Sequence, residues 1–456
     1  MSPPASTAAP RVDEGVFDVG IDERLPFGQL LMLGLQNVFG MTGMFVFPGL
    51  LGRAFGLPVD QIAYLYGMTF MVCGLTTVLQ SVGLLRLPIT QGPYAGNFAA
   101  LLAVGHLKEG GGLGAAYGSL FVAGLIWCLL TVPIRGHSVI GLFARYLRAP
   151  VISGMIVLLT MIQISAVALP NWIGNRATPG FPLVSFGAGL LTVLVLITIS
   201  VRGGLMVRRA AVLIALGLGT VCFASFQPLN LAGVINAPWV VTPRAFPFGF
   251  SVQPDFVLVF LLTLVPAGMG SMAMYQIVAG WGGQHLSARR MSEGVFATAI
   301  GSVLAGLVGG FSTLVYPDNI GLMRSTRVGS RFATAATGLL LMLLGASVKF
   351  DMLLVLVPLP VLSAAATVLF GIVFMHGIAM LAAVKWDDRL LITAGFSALV
   401  GLGGMFVEPQ VLAGMPLLVQ LVLKQPVISG GILVVVLHSI LCADRLEAAP
   451  SRQKTA

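Results

Sequence analysis

What most constrains this chain is a series of apolar segments, each long enough to cross a bilayer. A spanning helix takes about 20 mostly apolar residues. On that rule spans are predicted at 27–48, 60–82, 114–133, 149–169, 183–200, 209–226, 256–280, 294–315, 331–347, 352–378, 389–406 and 418–441. Only 9% of the 456 residues are charged, against roughly 25% in a soluble domain. The chain therefore reads as an all-α polytopic membrane protein. Residues 1–25 and 443–456 read as polar tails, the first of them disordered, and no cleavable signal is read at the N-terminus.

Two further segments are shorter and broken. Gly92–Gly105 follows Leu87-Pro88, and Ile320–Val328 follows Pro317. Counting both gives fourteen transmembrane segments. With the N-terminus in the cytoplasm, that count puts 19 of the 25 Lys and Arg residues on the cytoplasmic side. This is the asymmetry that orients membrane proteins, and it predicts both termini inside. The breaks fall in the third and tenth segments, seven apart. Seven is odd, so the second half of a duplicated unit inserts upside down. A 7+7 inverted repeat with paired broken helices is a transporter architecture whose site lies where the breaks meet.

The stretch Tyr316-Pro317-Asp318-Asn319-Ile320-Gly321 stands at the second break, with Asp318 and Asn319 read as the N-cap of a half-helix. An aspartate within a membrane costs roughly 2.5–3.5 kcal/mol on insertion scales and is a functional candidate. Asp318 is accordingly the first candidate for substrate binding and for proton coupling. Asn319 is either ligand or cap. Tyr94, at the first break, either stacks on a flat ring or packs at a helix start. Gln36 and Asn37 are amides in an apolar run that face the site or bond between helices. Ser271 and Gln276 on the eighth segment point about 140° apart, and Ser271 is taken as the site-facing one. Arg324 reads as a cytoplasmic anchor beside Arg327 and Arg331. His376 is the one histidine placed to serve as a proton relay.

Other function classes are excluded. The four cysteines, Cys73, Cys128, Cys222 and Cys442, sit singly in apolar stretches and are read as neither disulfides nor metal ligands. The net charge of +9 is dispersed over short loops, so nucleic acid is not an expected partner. There is no phosphate-binding Gly-rich loop, and no nucleophile with an acid–base pair. No enzyme, metal site or cofactor is expected, apart from H⁺ or Na⁺ as coupling ion.

Several ordered motifs resemble the nucleobase–ascorbate transporters, or second nucleobase:cation symporter family, which includes uracil and xanthine permeases. They are Asp22-Glu23-Arg24-Leu25-Pro26-Phe27 leading into Gly34-Leu35-Gln36-Asn37-Val38, then Arg86-Leu87-Pro88. Next come the Tyr316–Gly321 stretch with Thr326-Arg327-Val328-Gly329-Ser330-Arg331, then Pro358-Leu359-Pro360-Val361-Leu362 and Leu369-Phe370-Gly371. The resemblance implies a core domain of spans 1–4 and 8–11 (26–134 and 256–348) and a gate domain of spans 5–7 and 12–14 (135–227 and 349–442). An extracytoplasmic loop covers 228–255. It also implies a small-molecule substrate held between half-helices, often a homodimer, and a bacterial-type inner membrane. The implied function is symport of a purine or pyrimidine base, such as urate, xanthine or uracil. An anion transporter of the same fold, like the sulfate permeases, and a non-transporting ligand sensor are the alternatives.

The family's eighth-span acid falls on Ala267, one turn before Ser271. Its small residue before the break acid is Pro317, which has no N–H to offer. Its frequent first-span histidine is Asn37. Phe370 is placed to line the pocket. Loss of one acid favours a substrate rich in carbonyls or already anionic, such as urate.

Overall fold

Where small residues recur along two apolar helices, the backbones can touch, and this decides how the helices are arranged. The computed structural model describes residues 16–107, 111–132, 150–174, 180–204, 207–208, 210–382, 384–412 and 414–442. The first two stretches hold α1 (Phe27–Gly40), α2 (Phe47–Ala54), α3 (Val59–Val78), strand β1 (Gln91–Pro93), α4 (Ala95–Gly105) and α5 (Leu113–Thr131). Then come α6 (Pro150–Ala168), α7 (Leu183–Arg202) and α8 (Ala211–Ala224). After a connection that holds a short helix, Ala232–Asn236, follow α9 (Pro254–Trp281), α10 (Ala288–Val308), strand β2 (Thr313–Val315), α11 (Pro317–Thr326), α12 (Arg331–Ala346) and α13 (Val348–Val355). The last are α14 (Leu359–Ala382), α15 (Asp388–Gly404), α16 (Leu417–Leu423) and α17 (Pro426–Leu441).

Among the described residues, seven helices are long and apolar enough to span a bilayer, or nine if each of two bent pairs is one span. Large apolar side chains such as Leu129, Leu183, Leu194, Val201 and Met375 are exposed on them. On a soluble surface such area is a liability; on a span it is the face toward lipid.

Packing sorts the helices into two groups. In one, α3 lies on α12, α12 on α1, and α5 on α10. In the other, α14 lies on α6 and α7, α7 on α8, and α17 on α15 and α6. The α3–α12 contact uses glycine pairs. A Cβ on Gly74 would stand 2.5 Å from the Gly338 carbonyl oxygen, and one on Gly338 2.7 Å from that of Gly74. Only glycine at both positions permits that approach, as is usual where helices associate without a hydrophobic driving force.

Several expectations are corrected. Segment 27–48 is not one straight helix: α1 meets the segment Gly43–Ala54 at 63°. Pro48, in the first turn of α2, starts a new helix rather than continuing α1. Segment 418–441 divides into α16 and α17 at 89°, because Pro426 holds Gln425 in an extended conformation. Residues 352–355 belong to α13, which stops before Pro358, and the twelfth segment starts at Leu359. The tail read as disordered over 1–25 is docked over its described part. The Asp18 N–H donates to the Arg327 carbonyl at 2.8 Å, and the Gly329 N–H to that of Val19 at 2.9 Å. Arg331 pairs with Asp22 at 2.6 Å, and Phe17 meets Trp281 edge-on. Residues 1–15, the basic loop with Arg135, Arg145 and Arg148, and the tail 443–456 lie outside the described residues.

Candidate functional site

The two breaks meet. β1 and β2 form a two-stranded antiparallel sheet, pairing Gln91 with Val315, Gly92 with Leu314 and Pro93 with Thr313. Each strand runs directly into a half-helix, β1 into α4 and β2 into α11. A Cβ at Gly92 would overlap the Tyr316 ring, so glycine is what lets the strands close. Both half-helix N-termini therefore start from one small buried sheet. The first N–H groups of a helix have no partner within it and carry partial positive charge. Because the strands are antiparallel, the two helix starts lie at opposite ends of this short sheet, and positive ends placed on either side suit electronegative carbonyls or an anion.

On the α4 side Tyr94, Asn97 and the Gln91 amide nitrogen are tied to protein, while Gln91 Oε1 is buried without a partner among the described residues. Tyr94 is the N-cap residue, and its N–H donates to the Ser312 carbonyl at 2.9 Å. Asn97, fully buried, donates from Nδ2 to Ser312 Oγ and accepts at Oδ1 from Thr263 Oγ1 at 2.5 Å. It thereby joins α4 to the β2 approach and to α9. Behind β1, Gln91 donates to Gln80 Oε1, while Gln80 Nε2 donates to the Tyr275 hydroxyl and to the Gly294 carbonyl, the latter at 3.0 Å. Sequence reading missed Asn97 and this network; a lone amide three residues past a tyrosine was the only available signal.

The α11 side differs. Its N-cap residue is Tyr316, not Asp318 or Asn319. Pro317 takes the first helical position, where a fixed φ and a missing N–H do no harm, so Asp318 and Asn319 fall within the first turn. The Tyr316 hydroxyl accepts from the Gly43 N–H at 2.7 Å, anchoring the break to the bend between α1 and α2. Asn319 is 1% exposed, and neither atom of its amide has a hydrogen-bond partner among the described residues. Its Oδ1 would stand 3.1 Å from a Cβ on Gly40. An unpaired buried amide is costly, and a ligand that supplies partners would remove that cost.

The other candidates divide. Tyr94 is buried over Gly96 at the start of α4. Phe370, on α14, stacks on Phe47 with centroids 5.8 Å apart, and Phe47 in turn packs on Phe98 and Phe311. This aromatic column links the second helix group to the residues flanking both breaks. Ala267 is buried on α9. Ser271 is fully buried, and its hydroxyl donates to the Ala267 carbonyl at 2.8 Å, within its own helix. Gln36 lies one turn before Gly40, against the second half of α11 near Leu322 and Met323. Asn37 donates to Thr337 Oγ1 on α12 at 3.0 Å, the interhelical alternative. Arg324 stands over the Trp281 ring at 5.8 Å. His376 is on an exposed face of α14.

A family model described as the permease family (Xan_ur_permease) matches residues 28–410. This chain belongs to that family. The uric acid permease PucK of Bacillus subtilis (strain 168) is 28% identical to it over 430 residues, covering 90% of this chain and 95% of the relative. The uric acid transporter UacT of Escherichia coli (strain K12) is 28% identical, covering 81% and 77%. The xanthine permease of Bacillus subtilis (strain 168) is 26% identical, covering 91% and 94%. These relatives fit the nucleobase–ascorbate resemblance, and they are transporters, not enzymes. This permease also shares its fold with the transmembrane domain of a cyanobacterial bicarbonate transporter, BicA. That likeness has a TM-score of 0.57 at 15% identity and covers 92% of this chain and 99% of the other. The murine anion transporter Slc26a9 gives a TM-score of 0.63 at 12% identity, covering 93% and 69%. Likeness at that identity speaks for the fold alone.

Proposed function

We propose that this permease is a secondary active symporter of an oxopurine, urate or xanthine first and uracil less readily, driven by H⁺ or Na⁺. The observation that carries the reading is the buried β1–β2 sheet, which brings two half-helix N-termini together beside an unpartnered Asn319. The curated relatives supply the substrate class. Urate and xanthine are flat and rich in carbonyls. They match positive helix ends, the Asn319 amide and the aromatic column that ends at Phe370.

Within that reading Asp318 accepts from substrate N–H groups and is the expected proton-coupling residue, while Tyr94 and Phe370 bound the ring. Ala267 leaves the α9 side without an acid, which suits an anionic purine. The fourteen-segment inverted repeat is supported by the two paired breaks and by further short apolar helices, among them α8 and α12. The two packing groups correspond to core and gate. Their junction is placed at Pro358 rather than at residue 349, since α13 packs on α3 and α12. The loop charges support both termini in the cytoplasm, and the family resemblance supports a bacterial inner-membrane location and a homodimer.

Uptake of labelled urate, xanthine, uracil and bicarbonate into proteoliposomes tests the reading. Urate or xanthine uptake competed by the other is expected. Bicarbonate uptake without purine uptake would overturn it, and saturable urate binding without uptake would favour a sensor.

A further inference from the structure

Away from the breaks, one carboxyl group stands out. Asp351 lies on α13, the short helix between the α12 and α14 spans, and is 1% exposed. Neither oxygen has a hydrogen-bond partner among the described residues. Its Oδ2 would stand 2.6 Å from a Cβ on Gly67, and the Gly345 carbonyl oxygen 2.7 Å from the same atom. Two acceptors thus crowd one point on α3. Gly345 belongs to the last turn of α12, whose carbonyl end carries partial negative charge. That environment disfavours an anion and favours a protonated carboxyl, which can donate.

The charged and titratable neighbours are engaged elsewhere. The Tyr66 hydroxyl on α3 donates to the Phe45 carbonyl at 2.9 Å. Arg53 on α2 donates through Nη2 to the carbonyls of Val355, at 2.7 Å, and Val357, at the end of α13, while its buried Nη1 has no partner among the described residues. Lys349, on α13 itself, donates to the Ile235 carbonyl at 2.9 Å and stands over Trp239 at 4.7 Å. The segment Ala232–Asn236 carries no titratable side chain, and that of α12, Arg331, is at the other end of the helix.

Position gives this carboxyl a use. α13 packs on the first helix group, yet through Pro358 it runs into α14 of the second. A cavity of about 690 Å³ opens beside it, lined by Arg53 and Met352 from one group and Phe223 and Leu359 from the other. Loop charges assign this face as extracytoplasmic. Movement of one group against the other would therefore act on α13, which is packed on the first group and joined to the second through Pro358.

We propose that Asp351 is a proton-binding site: protonated, it keeps α13 docked on α3 and α12, and its release of the proton to the cavity accompanies movement between the groups. This rests on the transport reading and specifies H⁺ as the coupling ion, with a second carboxyl beside Asp318.

Two measurements on the full chain test it. The first needs no substrate: the melting temperature of the purified protein as pH rises. Burial raises the Asp351 pKa from 3.8 to about 9, so the carboxyl binds more protons folded than unfolded: its stabilisation is full below the unfolded value and is lost progressively as pH rises from there through the folded one. Wild type is expected to lose melting temperature more steeply than Asp351→Asn as pH rises from 3.8 to about 9. The second is purine uptake driven by an imposed proton gradient. Asp351→Asn is expected to keep substrate exchange but lose proton-driven accumulation. Asp351→Ala, smaller than the native side chain, gives the same expectation if the amide impairs folding. Unchanged proton-driven accumulation in a folded variant, or parallel pH–melting curves, overturns the proposal. Absence of purine uptake by wild type would instead remove the transport reading, and the melting curves would still decide whether Asp351 binds a proton.

Discussion

The two breaks are built alike and used differently. Each has a strand of three residues, a tyrosine at the N-cap and a short half-helix. At α4 the Asn97 amide closes on protein, through Ser312 and Thr263. At α11 the Asn319 amide does not: it is buried without a hydrogen-bond partner among the described residues, and an aspartate precedes it in the first turn. On the proposed reading, one half of a near-symmetric pair holds the architecture together while the other presents chemistry. Symmetry in the backbone therefore does not imply symmetry in function, and substitutions on the two sides should separate stability from transport.

The largest effect is expected on the α11 side. Asp318→Asn should lower purine uptake about 10- to 100-fold, the scale of losing a hydrogen bond to a charged group, with the melting temperature little changed. Initial rates normalised to folded protein in the membrane check this. Asn319→Ala should lower uptake about 3- to 10-fold, as for a neutral hydrogen bond. It should leave stability equal or slightly raised, because an unsatisfied buried amide is removed. On the α4 side the pattern should invert. Asn97→Ala strands Thr263 and Ser312 in the interior and should cost about 1–3 kcal/mol of stability, seen as a lowered melting temperature. Uptake per folded molecule should fall much less. The smallest effect is expected for Tyr316→Phe, which removes the acceptor for the Gly43 N–H and should cost about 1 kcal/mol. A uniform loss of both properties in all four variants would dissolve the distinction between the breaks.

Much of the α11 side was legible in the sequence. A proline followed by an acid and an amide inside an apolar region has few readings, and charge counting supported a separate segment there. The α4 side was legible only as an interruption. Its stabilising bonds run between residues far apart in the chain, such as Asn97 with Thr263 and Gln80 with Tyr275, and no local pattern records them. The docking of residues 16–24 was missed for a related reason. Its bonds are largely backbone to backbone, and polar composition alone resembles that of a free tail. The bends at Gly40–Phe47 and at Gln425 were hidden because hydropathy is blind to direction. Asp351 was passed over because it stands at the edge of an apolar run, where an acid is ordinarily solvated. Only the close approach of Gly67 and Gly345 shows that it is not.

The most direct test of the account is equilibrium binding of labelled urate and xanthine to purified wild type, Asp318→Asn and Asn97→Ala, each shown to be folded by its melting curve. The account predicts saturable binding of at least one purine by wild type, nearly lost in Asp318→Asn and largely kept in Asn97→Ala. Wild-type affinity in Asp318→Asn, with binding lost only on the α4 side, would contradict it.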